Sequence, residues 1–410
     1  MLKIFFSHFN KLPESNKAMV YLMWIYGVGE LISTTFVNIY IFKINNSFLN
    51  TIIYNLLFFS STFLGFSFLG WIMSRENKNI KNMYYISYVL FILAFVELLS
   101  SRGSLIGGYI FGIIFAFGNG AFWNAVHTQE LKNINNKNRD FYSSSISAGK
   151  NIIAMIIPFF VSFVFLLGKK FDFDGYIILF LILPLVYLCS FLFINKIESY
   201  IPQKIEKGDL KNFFNLKKYK YGHIYFLIGG FLLALNTAVM PIINLVLLKN
   251  EVNIGLFQGI LVLFSTYFII HLSHKRQEET RLQYFFIICL LVSLNFISFG
   301  IGFSFVNFLI FSIVFLFIAP LRRVSEHVYD LSLMDNIKTD NNDFYPAMIL
   351  RESILWIGRI IALLVLLFFA NFKLFDNEAI LRIGLISEGI GVLLLFISIY
   401  LWEKYEKDNF

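Results

Sequence analysis

The sequence predicts an all-α polytopic membrane protein, with twelve transmembrane helices arranged as two pseudo-symmetric six-helix bundles. Three observations lead there. Hydrophobic residues fill 58% of the 410 positions and charged residues only 15%, whereas a soluble domain is about a quarter charged. Apolar stretches near 20 residues, long enough to cross a ~30 Å hydrocarbon core, recur along the whole chain. The third observation is a polar segment that occurs twice, as HTQELKNINNKNRDFY from His127 to Tyr142 and as HVYDLSLMDNIKTDNNDFY from His327 to Tyr345. Both copies open on His-x-x-(Asp/Glu)-Leu, run through an Asn- and Lys-containing polar loop and close on Asp-Phe-Tyr. Asn38 and Lys43 likewise pair with Asn244 and Lys249, and Phe171-Asp172 with Phe375-Asp376. The offsets all fall between 200 and 206 residues and keep their order. That pattern marks a duplicated half, an arrangement frequent among membrane proteins built from internal repeats.

Taken in order, residues 1–17 are polar and mildly basic, a cytoplasmic lead-in. Spans follow at about 18–42, 49–73, 83–99, 104–126, 144–167, 176–195, 222–247, 254–272, 282–299, 303–320, 346–370 and 379–402. Helix is the only open-ended structure that satisfies its own backbone in lipid. The first span is too long for a signal-peptide core and no small-residue cleavage site follows it, so it reads as retained. The polar segment 196–221 is the longest internal loop. It divides the chain into an N-terminal bundle over 18–195 and a C-terminal bundle over 222–402, leaving 403–410 as a cytoplasmic tail.

Charge sets the orientation. Lysines and arginines of the even-numbered loops and the termini, among them Arg75, Lys78, Lys132, Arg139, Lys275 and Arg322, outnumber those of the odd-numbered loops by about four to one. Both termini are therefore expected in the cytoplasm, with the protein multi-pass in the plasma membrane. The net charge of +8 follows from the same bias and implies no nucleic-acid partner. Cys189 and Cys289 lie within apolar runs, without the spacing of a disulfide framework or a zinc site. His271 and His274 form H-x-x-H beside Lys275 and Arg276, but no further ligands lie nearby, so no metal is expected. No cofactor is indicated, and no G-x-x-x-x-G-K-(S/T) loop is present for direct use of ATP.

Two six-helix halves, a basic central cytoplasmic loop, both termini inside and about 400 residues resemble the major facilitator superfamily. The loop after span 2, Gly70-Trp71-Ile72-Met73-Ser74-Arg75-Glu76-Asn77-Lys78-Asn79, is similar to the family's G-x-x-x-D-R-x-G-R-(R/K). Gly70 and Arg75 match, Lys78 is a conservative stand-in, and the Asp and second Gly are missing. The resemblance implies alternating access, with two bundles rocking about a central cavity lined mainly by spans 1, 4, 7 and 10, helped by 2, 5, 8 and 11.

Candidate site residues follow from polar groups placed where lipid cannot accept them. Glu30 is the thirteenth residue of span 1, near the bilayer midplane. Gly27, Glu30, Thr34 and Asn38 share one face of a regular helix. An ionised carboxylate at that depth costs several kcal/mol unless paired or hydrated, so Glu30 suits binding of a proton or a cationic moiety; a structural ion pair is the plainer alternative. In span 11, Glu352, Trp356 and Arg359 share a face with Arg351 beside them. Arg359 has three uses open to it: neutralising Glu30, binding an anionic group, or an intrahelical contact with Glu352. Lys150 in span 5 either takes part in gating or snorkels to the interface. Asn119 and Trp123 in span 4, and Asn236, Thr237 and Asn244 in span 7, are cavity candidates set against interhelical hydrogen bonding. Pro158, Pro241 and Pro320 mark expected bends. Glu97, Arg382 and Glu388 belong to spans 3 and 12 and read as structural. His127 with Glu130, and His327 with Asp330, are spaced to bond across a helical turn. Their duplication favours a latch over a catalytic pair, and no catalytic residue is assigned.

These residues point to a non-enzymatic secondary active transporter, a monomer in the bilayer that moves a small organic solute by alternating access. Glu30 is the candidate for proton coupling, and the cavity aromatics favour an amphipathic export substrate. A lipid-handling protein, whether lipid transporter or lipid-modifying enzyme, and a non-transporting membrane sensor remain the alternatives.

Overall fold

A computed structural model describes residue 9 and residues 12–133, 136–202, 204, 220–272, 281–336, 344–371 and 375–409. Among them no strand occurs. The helical runs are α1 Glu14–Asn45, α2 Phe48–Arg75, α3 Lys81–Ser100, α4 Leu105–Asn133, α5 Asn136–Phe171, α6 Gly175–Ile194, α7 Lys220–Leu248, α8 Glu251–Leu272, α9 Arg281–Ile301, α10 Phe305–Asn336, α11 Phe344–Asn371 and α12 Asn377–Asn409. Among the described residues ten helices are long and apolar enough to cross a membrane, and Glu251–Ser265 and Phe305–Ala319 are shorter apolar stretches. Large apolar side chains such as Leu93, Val96, Phe163, Leu185 and Ile313 are exposed, as they must be where the solvent is hydrocarbon. The chain is an integral membrane protein.

Several helices outrun the expected spans. Helix α4 continues to Asn133, α5 begins at Asn136 and α10 reaches Asn336. The repeated polar segment, expected as a loop, is therefore helical on both sides of 134–135 in its first copy and through Asn336 in its second. Residues 134–135 and 337–343 lie outside the described set. A helix leaving the hydrocarbon keeps its backbone bonds and needs only polar side chains, which this segment supplies.

Helices end on residues that accept a left-handed backbone. Asn46, Asn77 and Asp172, each shortly after its helix stops, have φ of 49°, 51° and 55°, and Asn and Asp tolerate that region better than other side chains. Asp172 belongs to the repeated Phe-Asp pair, so that repeat position marks a helix stop. Pro158 and Pro241 lie inside continuous helices; the side chain of Pro320 lies outside the described residues.

Contacts divide the chain into two compact units. One holds Met1–Ile44, Leu57–Ile205 and Asn250–Gly259; the other holds Asn45–Leu56, Glu206–Lys249 and Ile260–Phe410. In the first, α3 packs on α4 and α6, and α1 on α5. In the second, α7 packs on α11 and α12, and α9 on α10 and α12. Glycine permits the α7–α11 crossing. A Cβ at Gly358 would lie 1.9 Å from the carbonyl oxygen of Leu227, and one at Gly230 would lie 2.1 Å from that of Leu355, so the two backbones touch where each helix lacks a side chain.

Candidate functional site

In the first unit the site is built from two i,i+4 pairs on α1 and α4. Tyr26 and Glu30 lie one turn apart on α1, and Asn119 and Trp123 one turn apart on α4. All four meet at the Tyr26 phenol. Its oxygen accepts from Trp123 Nε1 at 3.1 Å and stands 2.7 Å from Asn119 Oδ1 and 3.2 Å from Glu30 Oε1. The hydroxyl has one proton, so it donates to Asn119 or to Glu30 at any moment, the shorter contact favouring Asn119. Phe122 stacks on the Tyr26 ring at 4.2 Å and 17° and fixes it. Glu30 itself is half-buried.

The polar cluster continues toward the end of α4. The Lys150 ammonium lies 5.3 Å from the Trp123 ring centroid, within cation–π range. His127 stacks on Trp123 at 5.3 Å and bonds Glu130 at 3.3 Å. Tyr142 Oη donates to Glu130 at 3.2 Å. Burial holds the Tyr142 phenol well above its ordinary pKa, and the Glu130 carboxylate adds to the shift, so Tyr142 stays a donor at neutral pH. Of the expected site residues, Glu30, Asn119, Trp123, Lys150, His127 and Glu130 thus form one connected cluster.

Thr34 and Asn38 are turned elsewhere. Ser33–Val37 forms a π-helical turn inside α1, which breaks the register that a regular helix would give to Gly27, Glu30, Thr34 and Asn38. Thr34 Oγ1 and Ser33 Oγ donate to the Glu30 carbonyl at 2.7 and 3.1 Å, and Asn38 Nδ2 donates to the Thr34 carbonyl at 2.8 Å. These side chains satisfy carbonyls of the widened turn, a device often found beside functional groups. Arg75 lies over Trp71 at 5.2 Å, one turn back on its own helix.

In the second unit Arg359 donates to Glu352 on the same helix, with both side chains buried. Arg351 lies 5.8 Å from the Phe226 ring. Thr237 Oγ1 donates to the carbonyl of Leu233, and Asn244 is buried on α7. The side chain of His327, that of His271, and all of His274 lie outside the described residues. Asn236 Nδ2 donates to Glu388 Oε1 at 3.0 Å. Glu388 is 3% exposed, and it lines a cavity of about 360 Å³ with Asn236, Arg322, Glu326 and Asp330. Arg322 Nε donates to Glu326 at 2.6 Å.

Sequence reasoning passed over Tyr26, Glu388, Arg322 and Glu326. Glu388 has the feature that marks Glu30, a carboxylate in mid-span, but its place in span 12 reads as structural. Arg322 and Glu326 have i,i+4 spacing, but ending span 10 at residue 320 placed them in a loop. A further network joins α1, α6 and α8: Lys43 and Tyr176 Oη both donate to Glu251 Oε1, the latter at 2.7 Å.

No family model matches the chain. The uncharacterized protein YqgE of Bacillus subtilis (strain 168) is 23% identical over 411 residues, covering 97% of this chain and 93% of that one. Among solved structures, the nucleoside transporter NupG is similar with a TM-score of 0.63 at 14% identity, over 94% of this chain and 98% of that one. The human organic anion transporter MFSD10 (TETRAN) gives 0.64 at 12%, over 95% and 100%. The POT family transporter PepTSo gives 0.66 at 11%, over 97% and 99%. Likeness at these identities establishes architecture, and the chain has the fold of transporters of the major facilitator type.

Proposed function

We propose that the chain is a secondary active transporter that carries a small organic solute by alternating access, with Glu30 as the proton-coupling carboxylate. On this reading α8 and α10 complete twelve spans in two six-helix bundles over 18–195 and 222–402. The protein works as a monomer in the plasma membrane with both termini cytoplasmic. The observation that carries the reading is the cluster around Tyr26, where a mid-span carboxylate shares one phenol with Asn119 and Trp123. Such a group can exchange a proton with Tyr26 as its partner in either state: protonated, Glu30 can donate to the phenol oxygen while Tyr26 bonds Asn119, and ionised, it accepts from Tyr26, which then gives up Asn119. The similar structures carry nucleosides, organic anions or peptides, which makes those classes the first solutes to try. The part-exposed Trp123 ring favours an amphipathic one, and export is the preferred direction.

The test is thermal stability of the purified protein against nucleosides, dipeptides, organic anions, cationic amphiphiles and lipids. A solute at about 100 times its Kd stabilises by roughly 2.7 kcal/mol. A stabilising solute whose effect disappears in Glu30→Gln supports the assignment. Stabilisation by lipids alone, or by nothing while the protein stays folded, contradicts it and favours the lipid-handling or sensor reading.

A further inference from the structure

We infer that the cavity inside the second unit is a binding site for a small amphiphilic ammonium compound, its cationic head on Glu388 and its apolar body against Leu232, Phe315 and Leu355. The inference concerns binding alone and stands whether or not the chain carries flux. At about 360 Å³, the space falls within the range of small-molecule pockets. Among the described residues three carboxylates, those of Glu326, Asp330 and Glu388, line it with one guanidinium, Arg322. Arg322 is paired with Glu326 and Tyr225 bonds Asp330, so Glu388 adds a carboxylate beyond those pairs.

Glu388 supplies the second, independent observation. Its Oε1 accepts from Asn236, while its buried Oε2 faces no donor among the described residues. A buried carboxylate oxygen without a donor bears its full desolvation cost. A ligand that brings an N–H donor and a positive charge removes that cost, whereas a neutral ligand offsets only part of it and an anion adds to it. A metal ion fits poorly, since no three His, Cys, Asp or Glu side chains converge on one point among the described residues. The apolar walls then call for a hydrocarbon body on the ammonium. Gly229 leaves room for it: a Cβ there would meet only Leu355 Cδ2, at 3.9 Å.

The experiment is calorimetric titration of the purified full chain with 2-phenylethylammonium, compared with neutral 2-phenylethanol and anionic 3-phenylpropanoate. The expected result is saturable binding of the ammonium alone, weakened at least about tenfold in Glu388→Gln, the scale of a lost charge-assisted hydrogen bond. Gly229→Leu fills the cavity without changing any charge and is expected to abolish binding. Equal affinity for the alcohol, or ammonium binding unchanged in either folded variant, overturns the inference. So does the absence of saturable ammonium binding, which would leave Glu388 neutralised by a proton instead. If Glu388→Gln does not fold, Gly229→Leu decides alone.

Discussion

Tyr26 is the residue on which the first unit's polar cluster depends. Its oxygen is shared by Trp123, Asn119 and Glu30, and its ring is buried. Tyr26→Phe keeps the stacking on Phe122 but removes the partner of a part-buried indole N–H and of the buried Asn119 amide oxygen, at a cost of about 1–3 kcal/mol for the buried group. A lowered midpoint in chemical denaturation is expected, and an unchanged midpoint would show that the phenol holds nothing together. The Arg359–Glu352 pair makes a second prediction. Removing one partner by Arg359→Met leaves a buried carboxylate alone, destabilising by about 3–5 kcal/mol. The double variant Arg359→Met with Glu352→Leu recovers most of that loss, and a double variant no better than the single one would contradict this account. Residues of this kind differed in how far they could be read. Glu30 and Glu352 stood out because a carboxylate within an apolar run has few tolerable environments. Tyr26 did not, because the chain has 21 tyrosines and 51 phenylalanines and one more aromatic in a span looks like core.

At the scale of the element, glycine placement gives the sharpest prediction. Gly229 and Gly230 are neighbours on α7 with opposite surroundings. A Cβ at Gly230 would lie 2.1 Å from the Leu355 carbonyl oxygen, whereas at Gly229 the nearest atom is 3.9 Å away. Gly230→Ala is expected to force α7 and α11 apart and cost about 1–3 kcal/mol. Gly229→Ala is expected to be neutral or to stabilise by up to about 1 kcal/mol through helix propensity. Equal effects of the two substitutions, read from thermal unfolding, would mean that α7 and α11 do not cross at that point. Apolar length and the absence of helix breakers made the spans legible, and the Asn and Asp residues that stop α1, α2 and α5 stand in the sequence as short polar interruptions. The π-helical turn at Ser33–Val37 was not legible, because no residue type demands it. It turned the expected stripe of Thr34 and Asn38 toward their own backbone. Arg322 was hidden by the assumption that a helix ends where its hydropathy does.

At the scale of the whole molecule, the charge bias makes a prediction about orientation. With Cys189 and Cys289 replaced, Lys132→Cys is expected to react with a membrane-impermeant maleimide only from the cytoplasmic side, and Lys170→Cys only from the outside. The reverse pattern would invert the topology, and labelling of both from one side would remove the α5 crossing. Architecture was the most legible property. The duplicated His-x-x-(Asp/Glu)-Leu segment and the Gly70–Asn79 loop pointed to the fold that the comparison with solved transporters then established. Substrate was the least legible, since mixed charges such as Glu30 with Lys150 and Glu388 with Arg322 do not select one solute class. The most direct test of the central claim is pH-gradient-driven flux in proteoliposomes, using whichever solute stabilises the purified protein. The account predicts flux in the wild type and its loss in Glu30→Gln, with the variant still folded and inserted. Gradient-driven flux that persists undiminished in Glu30→Gln would contradict coupling through this carboxylate.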